Sequence, residues 1–166
     1  MKRTLLLFAS IVSLGAKAQE RSGAQLAFDR VFEAKSGPCV AARERVNDMG
    51  FVEWVAPVKE GESRLVSVMI EAQNRTIHLE WKNDPDRNLY NRVDFDEVTV
   101  YTTRTKKTVD CASNRRTCRT FLGVQQLNLK NIVERNAAYR RAPQWQKDVV
   151  LCAQKLIDAL SNGLED

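Results

Sequence analysis

Four cysteines, Cys39, Cys111, Cys118 and Cys152, constrain the fold of this 166-residue chain more than any other feature. What they can do depends on the redox compartment, and the N-terminus points to one. Lys2 and Arg3 make a basic start. Leu5 to Ala16 is an uncharged run of twelve mostly apolar residues, and Ala16-Lys17-Ala18 puts a small residue at both positions a signal peptidase reads. That order is the pattern of a secretory signal. At 1.5 Å per residue the run makes about 18 Å of helix, against about 30 Å of membrane hydrocarbon. Gln19, not cysteine, follows the cleavage point, and no twin-arginine pair precedes it. Residues 1–18 are therefore expected to be a signal peptide, cleaved near Ala18 after Sec-type export. The product expected is residues 19–166, periplasmic or secreted, with no stable membrane insertion.

In an oxidising compartment an even number of cysteines reads as disulfides. Four cysteines allow three connectivities. The favoured one joins Cys111 to Cys118 across a short polar loop and Cys39 to Cys152, tying the front of the domain to its last helix. Zinc fits poorly, because His78 is the only histidine and no C-x-x-C pair exists. A redox catalyst fails for the same spacing reason. Neither a metal nor a cofactor is expected.

Cleavage also changes the charge. Losing Lys2, Arg3 and Lys17 lowers the basic count from 26 to 23 against 21 acidic residues, so the formal charge falls from +5 to +2. The case for nucleic acid as a partner goes with it. The remaining length suits one domain.

Hydrophobic periodicity orders that domain. Ala24, Ala27, Phe28, Val31 and Phe32 form one helical stripe over Gly23 to Ala34. Pro38 opens a second helix, which Gly50 is expected to end. Phe51 to Val58, interrupted by Pro57, reads as a connector packed on the core. The period then changes to two. Leu65 to Ala72 and Arg75 to Lys82 read as strands, the second with Ile77, Leu79 and Trp81 inward and Thr76, His78, Glu80 and Lys82 outward. Asn83 to Asn91 reads as a polar loop and Val93 to Thr103 as a third strand region. Lys107 to Cys111 and Thr117 to Leu122 read as a hairpin around the Cys111–Cys118 loop. Helical period returns at Leu129, Ile132 and Val133. Pro143 opens a last helix striped by Trp145, Val149, Cys152, Ala153, Leu156 and Leu160. The fold expected is α+β: an antiparallel sheet of three to five strands flanked by N-terminal and C-terminal helix pairs, with two disulfides.

Three constellations could carry chemistry. His78 on a strand's solvent face could couple to Glu80, but no nucleophile signature accompanies it, and it reads as a surface histidine. Asp84-Pro85-Asp86-Arg87-Asn88 opens like a calcium loop, yet Leu89 and Phe95 stand where glycine and a bidentate glutamate belong. Asp94 and Asp96, with Glu97, could form a carboxylate pair on one strand face, the requirement of a small hydrolase. The most distinctive cluster is basic. Arg104, Lys106, Lys107, Arg115, Arg116 and Arg119 lie within sixteen residues, opposed only by Asp110. With Cys111 and Cys118 bridged, Arg115 and Arg116 are expected to project from a stapled tip suited to a carboxylate-rich partner.

The function expected is protein binding without catalysis. The partner would be another envelope or secreted protein with an acidic surface, and an inhibitor or immunity protein fits the size. The alternatives are an accessory factor for envelope or secretion-system assembly, and a small hydrolase using Asp94, Asp96 and Glu97.

Overall fold

The middle of the chain is built from residues whose apolar side chains recur at every second position, and these stretches pair in chain order. A computed structural model describes residues 20–56, 65–84, 87–102 and 107–164. Within them lie six strands: β1 (Phe51–Val55), β2 (Leu65–Glu71), β3 (Thr76–Asp84), β4 (Arg87–Asp94), β5 (Thr99–Thr102) and β6 (Lys107–Asp110). They form one sheet in the order β1-β2-β3-β4-β5-β6, every neighbour antiparallel. Five helices complete the α+β fold: α1 (Gly23–Phe32), α2 (Pro38–Glu44), α3 (Arg115–Arg135), α4 (Ala137–Arg141) and α5 (Gln144–Asn162).

The sheet has two chemically different faces. Val52, Trp54, Val68, Ile70, Ile77, Leu79, Val93 and Val100 point to the inner face and are almost wholly buried. α5 lies against β1 and β2 and also contacts α1, α2 and α3. Having neighbours on several sides, it buries more than one stripe, including Val150 and Ile157 beside the expected residues. α1 starts on a capping box in which Ser22 and Gln25 exchange hydrogen bonds. It packs Phe28 edge-on against Phe95 at 5.1 Å.

Both expected disulfides are present, Cys39–Cys152 and Cys111–Cys118. Their sequence separations are 113 and 7. Loop-closure entropy then assigns the long one about 5 kcal/mol of stabilisation and the short one about 2.5 kcal/mol.

Several expectations are corrected. The sheet has six strands among the described residues, not three to five, and the C-terminal helices number three rather than two. Phe51–Val55 is no connector but an edge strand, with Val52 and Trp54 inward. Residues 83–84 and 87–91 belong to β3 and β4, which pair as far as Asp84 and Arg87. Asn91 is tolerated on the buried face: with its amide nitrogen turned to the Thr102 hydroxyl at 2.9 Å, its oxygen accepts from the Trp81 indole at 3.1 Å. The region 93–103 is broken by the turn 95–98 between β4 and β5. Thr117 to Leu122 is helix, not a hairpin arm, because Cys118, Leu122, Gln125, Leu129 and Ile132 continue one buried helical stripe. The second helix stops at Glu44. Gly50 does adopt a left-handed conformation, φ 87°, but in the turn into β1, where its N–H bonds the Asn47 carbonyl at 2.9 Å.

Candidate functional site

Two places gather polar chemistry: the corner between β6 and α3, and the outer face of the sheet. At the corner the chain makes a sharp change from strand to helix and fixes it with short-range bonds. Asp110 accepts from the Ala112 N–H at 2.8 Å and the Ser113 hydroxyl at 2.6 Å. The Ser113 bond, then the Ala112 bond, hold the Asp110 carboxyl below the usual aspartate range. Asn114 caps α3 by accepting from the Thr117 N–H at 3.3 Å. Cys111 and Cys118, both fully buried, bridge strand to helix.

Arg115 and Arg116 are the first two helical residues of α3, and both are exposed. Arg119, one turn on, donates to the Leu164 carbonyl at 2.9 Å and so ties α3 to the end of α5. Of the six basic residues expected to act together, the structure gathers these three. Arg104 and Lys106 lie outside the described residues. Lys107 starts β6 at the opposite end of the strand, about 10 Å of backbone from Asp110. The expected tip is therefore a rigid strand-to-helix corner, and its arginines stand on the helix.

Beside the corner lies a cleft of about 170 Å³ between the start of α1, the end of α5 and the turn after β6. Its walls include Gly23, Ala24, Ala27, Ala112, Leu160 and Leu164, and Arg115 completes them. Sequence reasoning missed it. Residues from four distant segments make it, and no local pattern announces that.

The outer face of the sheet is chemically mixed. Cross-strand pairing aligns Met69, His78, Arg92 and Tyr101 in one row, with Glu71, Thr76, Asp94 and Thr99 in the next. His78 lies 5.5 Å from the Tyr90 ring, and Tyr90 lies 6.5 Å from Tyr101. A cleft of about 310 Å³ is lined by Glu71, His78, Arg92, Asp94, Asp96 and Glu97, with Asn74 and Thr76. His78 does not couple to Glu80. Its Nε2 is 3.1 Å from Glu71 Oε2, a diagonal contact across the β2–β3 ladder.

The carboxylates here have structural tasks. Asp94 Oδ1 accepts from the N–H groups of Asp96 and Glu97, both at 2.9 Å, and shapes the turn after β4. Asp96 therefore sits in that turn rather than on a strand face with Asp94. It pairs with Arg75 at 3.3 Å, and Arg75 grips Asp29 at 2.7 Å. Glu71 also accepts from the Asn74 amide. Of the calcium-like stretch, Asp84 ends β3 and Arg87 and Asn88 begin β4, while residues 85–86 and the side chains of the whole stretch lie outside the described residues. No cluster of three metal-ligating side chains occurs among the described residues. No described helix is long and apolar enough to cross a membrane. No protein-family model matches this chain, and neither a curated protein nor a solved structure matches it significantly, so its function must be read from these residues themselves.

Proposed function

We propose that this is an exported, disulfide-bonded domain that binds the acidic surface of another envelope or secreted protein and catalyses nothing itself, in the manner of an inhibitor or immunity protein. One observation carries the reading: Arg115 and Arg116 occupy the first two positions of a 21-residue helix. The helix macrodipole is positive there, so cations at those positions oppose it. No acidic residue stands in that first turn. A residue choice that works against local stability at an exposed, cross-linked corner is the kind of conflict found at functional sites. Rigidity helps, since a fixed corner loses little entropy on docking. The signal-like residues 1–18 and the two disulfides fit export to an oxidising compartment.

The test is capture from a periplasmic extract by the mature domain, alongside Arg115→Glu and Arg116→Glu. The expected result is a specific partner whose capture falls about tenfold or more on charge reversal, as for an interface residue of consequence. Unchanged capture by correctly folded variants removes the corner from the reading.

A second reading, a small hydrolase, has one observation in its favour: a single cleft gathers His78, Glu71, Asp94, Asp96 and Glu97. Against it, Asp94, Asp96 and Glu71 are occupied by turn, ion-pair and histidine contacts. Turnover of glycoside or ester substrates that disappears in His78→Ala would favour it over binding.

A further inference from the structure

Resting on the proposed role of the arginine corner, we infer that the adjoining cleft is a receptor for one aliphatic side chain, presented by an acidic segment of the partner. The cleft has mostly small and apolar walls with one basic member. Ala24, Ala27, Val98 and Leu160 are among the apolar wall residues. Arg115 stands in its wall, and Arg119 is bonded to the carbonyl of Leu164, another wall residue. Arg115 and Arg119 are four residues apart on α3 and so share one side of the helix. Arg116 is exposed beside them.

Size selects the occupant. About 170 Å³ is well under the roughly 300 Å³ at which small-molecule sites begin. A cofactor or a long acyl chain does not fit, but a leucine, isoleucine or methionine side chain does. Charge then selects its neighbours, because Arg116, exposed beside the cleft, can bind a carboxylate through paired hydrogen bonds. An apolar anchor in a preformed pocket, ringed by charge pairs, is the arrangement that concentrates binding energy in protein interfaces. The walls are fixed before binding: the capping box holds the start of α1, and the 111–118 disulfide holds the corner.

The experiment uses the mature domain and two labelled peptides, alternating aspartate and glutamate around one central leucine or one central alanine, followed by fluorescence anisotropy at low salt. Burying a leucine in place of alanine predicts about tenfold tighter binding of the leucine peptide. Gly23→Leu places a leucine at the wall of the cleft; a β-carbon at Gly23 meets nothing within 4 Å, so the backbone there accepts a side chain. Ala112→Leu places one at the opposite wall. Both variants are expected to abolish the leucine preference, and Arg116→Glu to weaken both peptides. Equal binding of the two peptides, unmoved by Gly23→Leu, overturns the cleft and leaves the arginine corner standing. Absence of binding, or binding indifferent to Arg116→Glu, overturns the corner and the cleft with it. Dimerisation of the free domain that Gly23→Leu disrupts would assign the cleft to a second copy and overturn the peptide.

Discussion

Arg75 and Tyr139 show how single polar side chains are held inside this molecule. Arg75 adopts φ 46° in the turn between β2 and β3, a conformation uncommon for a residue with a β-carbon. From there it binds Asp29 through two nitrogens, at 2.7 and 3.1 Å, and reaches Asp96 at 3.3 Å. One guanidinium thus joins α1, the β2–β3 turn and the β4–β5 turn. No sequence signal announces this, because Asp29 and Arg75 are 46 residues apart and each reads alone as a surface charge. Tyr139 packs edge-on to Trp54 and donates its hydroxyl to the Lys147 carbonyl at 3.1 Å. Burial, with a smaller contribution from the Asp148 charge, pushes its phenol up to about 12. The unfolded phenol titrates near pH 10. The folded state therefore holds its proton more tightly, and this contribution is complete below about pH 10 and is lost as pH rises from about 10 to about 12. Unfolding free energies in urea should fall more steeply over that window in the wild type than in Tyr139→Phe. Parallel pH profiles would count against the assignment.

At the scale of elements, the clearest case is α3. Its buried residues Cys118, Leu122, Gln125, Leu129 and Ile132 follow a helical period without a break. The sequence shows that period plainly from Leu129 onward. Its earlier half is disguised by β-branched Thr117 and Thr120 and by a cysteine pair that resembles the two ends of a hairpin. Thr120 separates the two pictures. It is exposed, and its hydroxyl donates to the Arg116 carbonyl at 3.1 Å within the helix. In a helix, alanine is better than threonine by about 0.5 kcal/mol, whereas in a strand threonine is better. Thr120→Ala is therefore expected to raise stability by about that amount in chemical unfolding, and a loss would contradict the helical assignment. The strands divide in the same way. β2 and β3 alternate cleanly and were legible. β1 was not, because five residues before a proline give the period too little room. The candidate sites divide likewise. The arginines are legible as charge. The His78–Glu71 contact is not, since it depends on a register that sets His78 opposite Met69 and leaves Glu71 on the diagonal.

Across the whole molecule, the question is what keeps the N-terminal helices on α5. α2 has seven residues and is too short to be stable alone. It is held by contact with α5 and by the Cys39–Cys152 bond at its first turn. The two disulfides therefore differ in kind. Cys111–Cys118 fixes a local corner, while Cys39–Cys152 closes almost the entire domain into one loop. All four cysteines are buried, so replacing either pair by alanine removes comparable packing. The difference between the two double variants then reports mainly the length of loop released. With about 5 against about 2.5 kcal/mol from loop closure, and 2–4 °C per kcal/mol for a chain of this size, Cys39→Ala/Cys152→Ala should lower Tm by about 10–20 °C. Cys111→Ala/Cys118→Ala should lower it by about 5–10 °C. Scanning calorimetry of both variants decides it. Equal losses would mean that packing of α1 and α2 on α5, not the covalent tie, carries the N-terminal layer. A larger loss from the short bond would mean that the corner under the arginines is what the rest of the fold depends on.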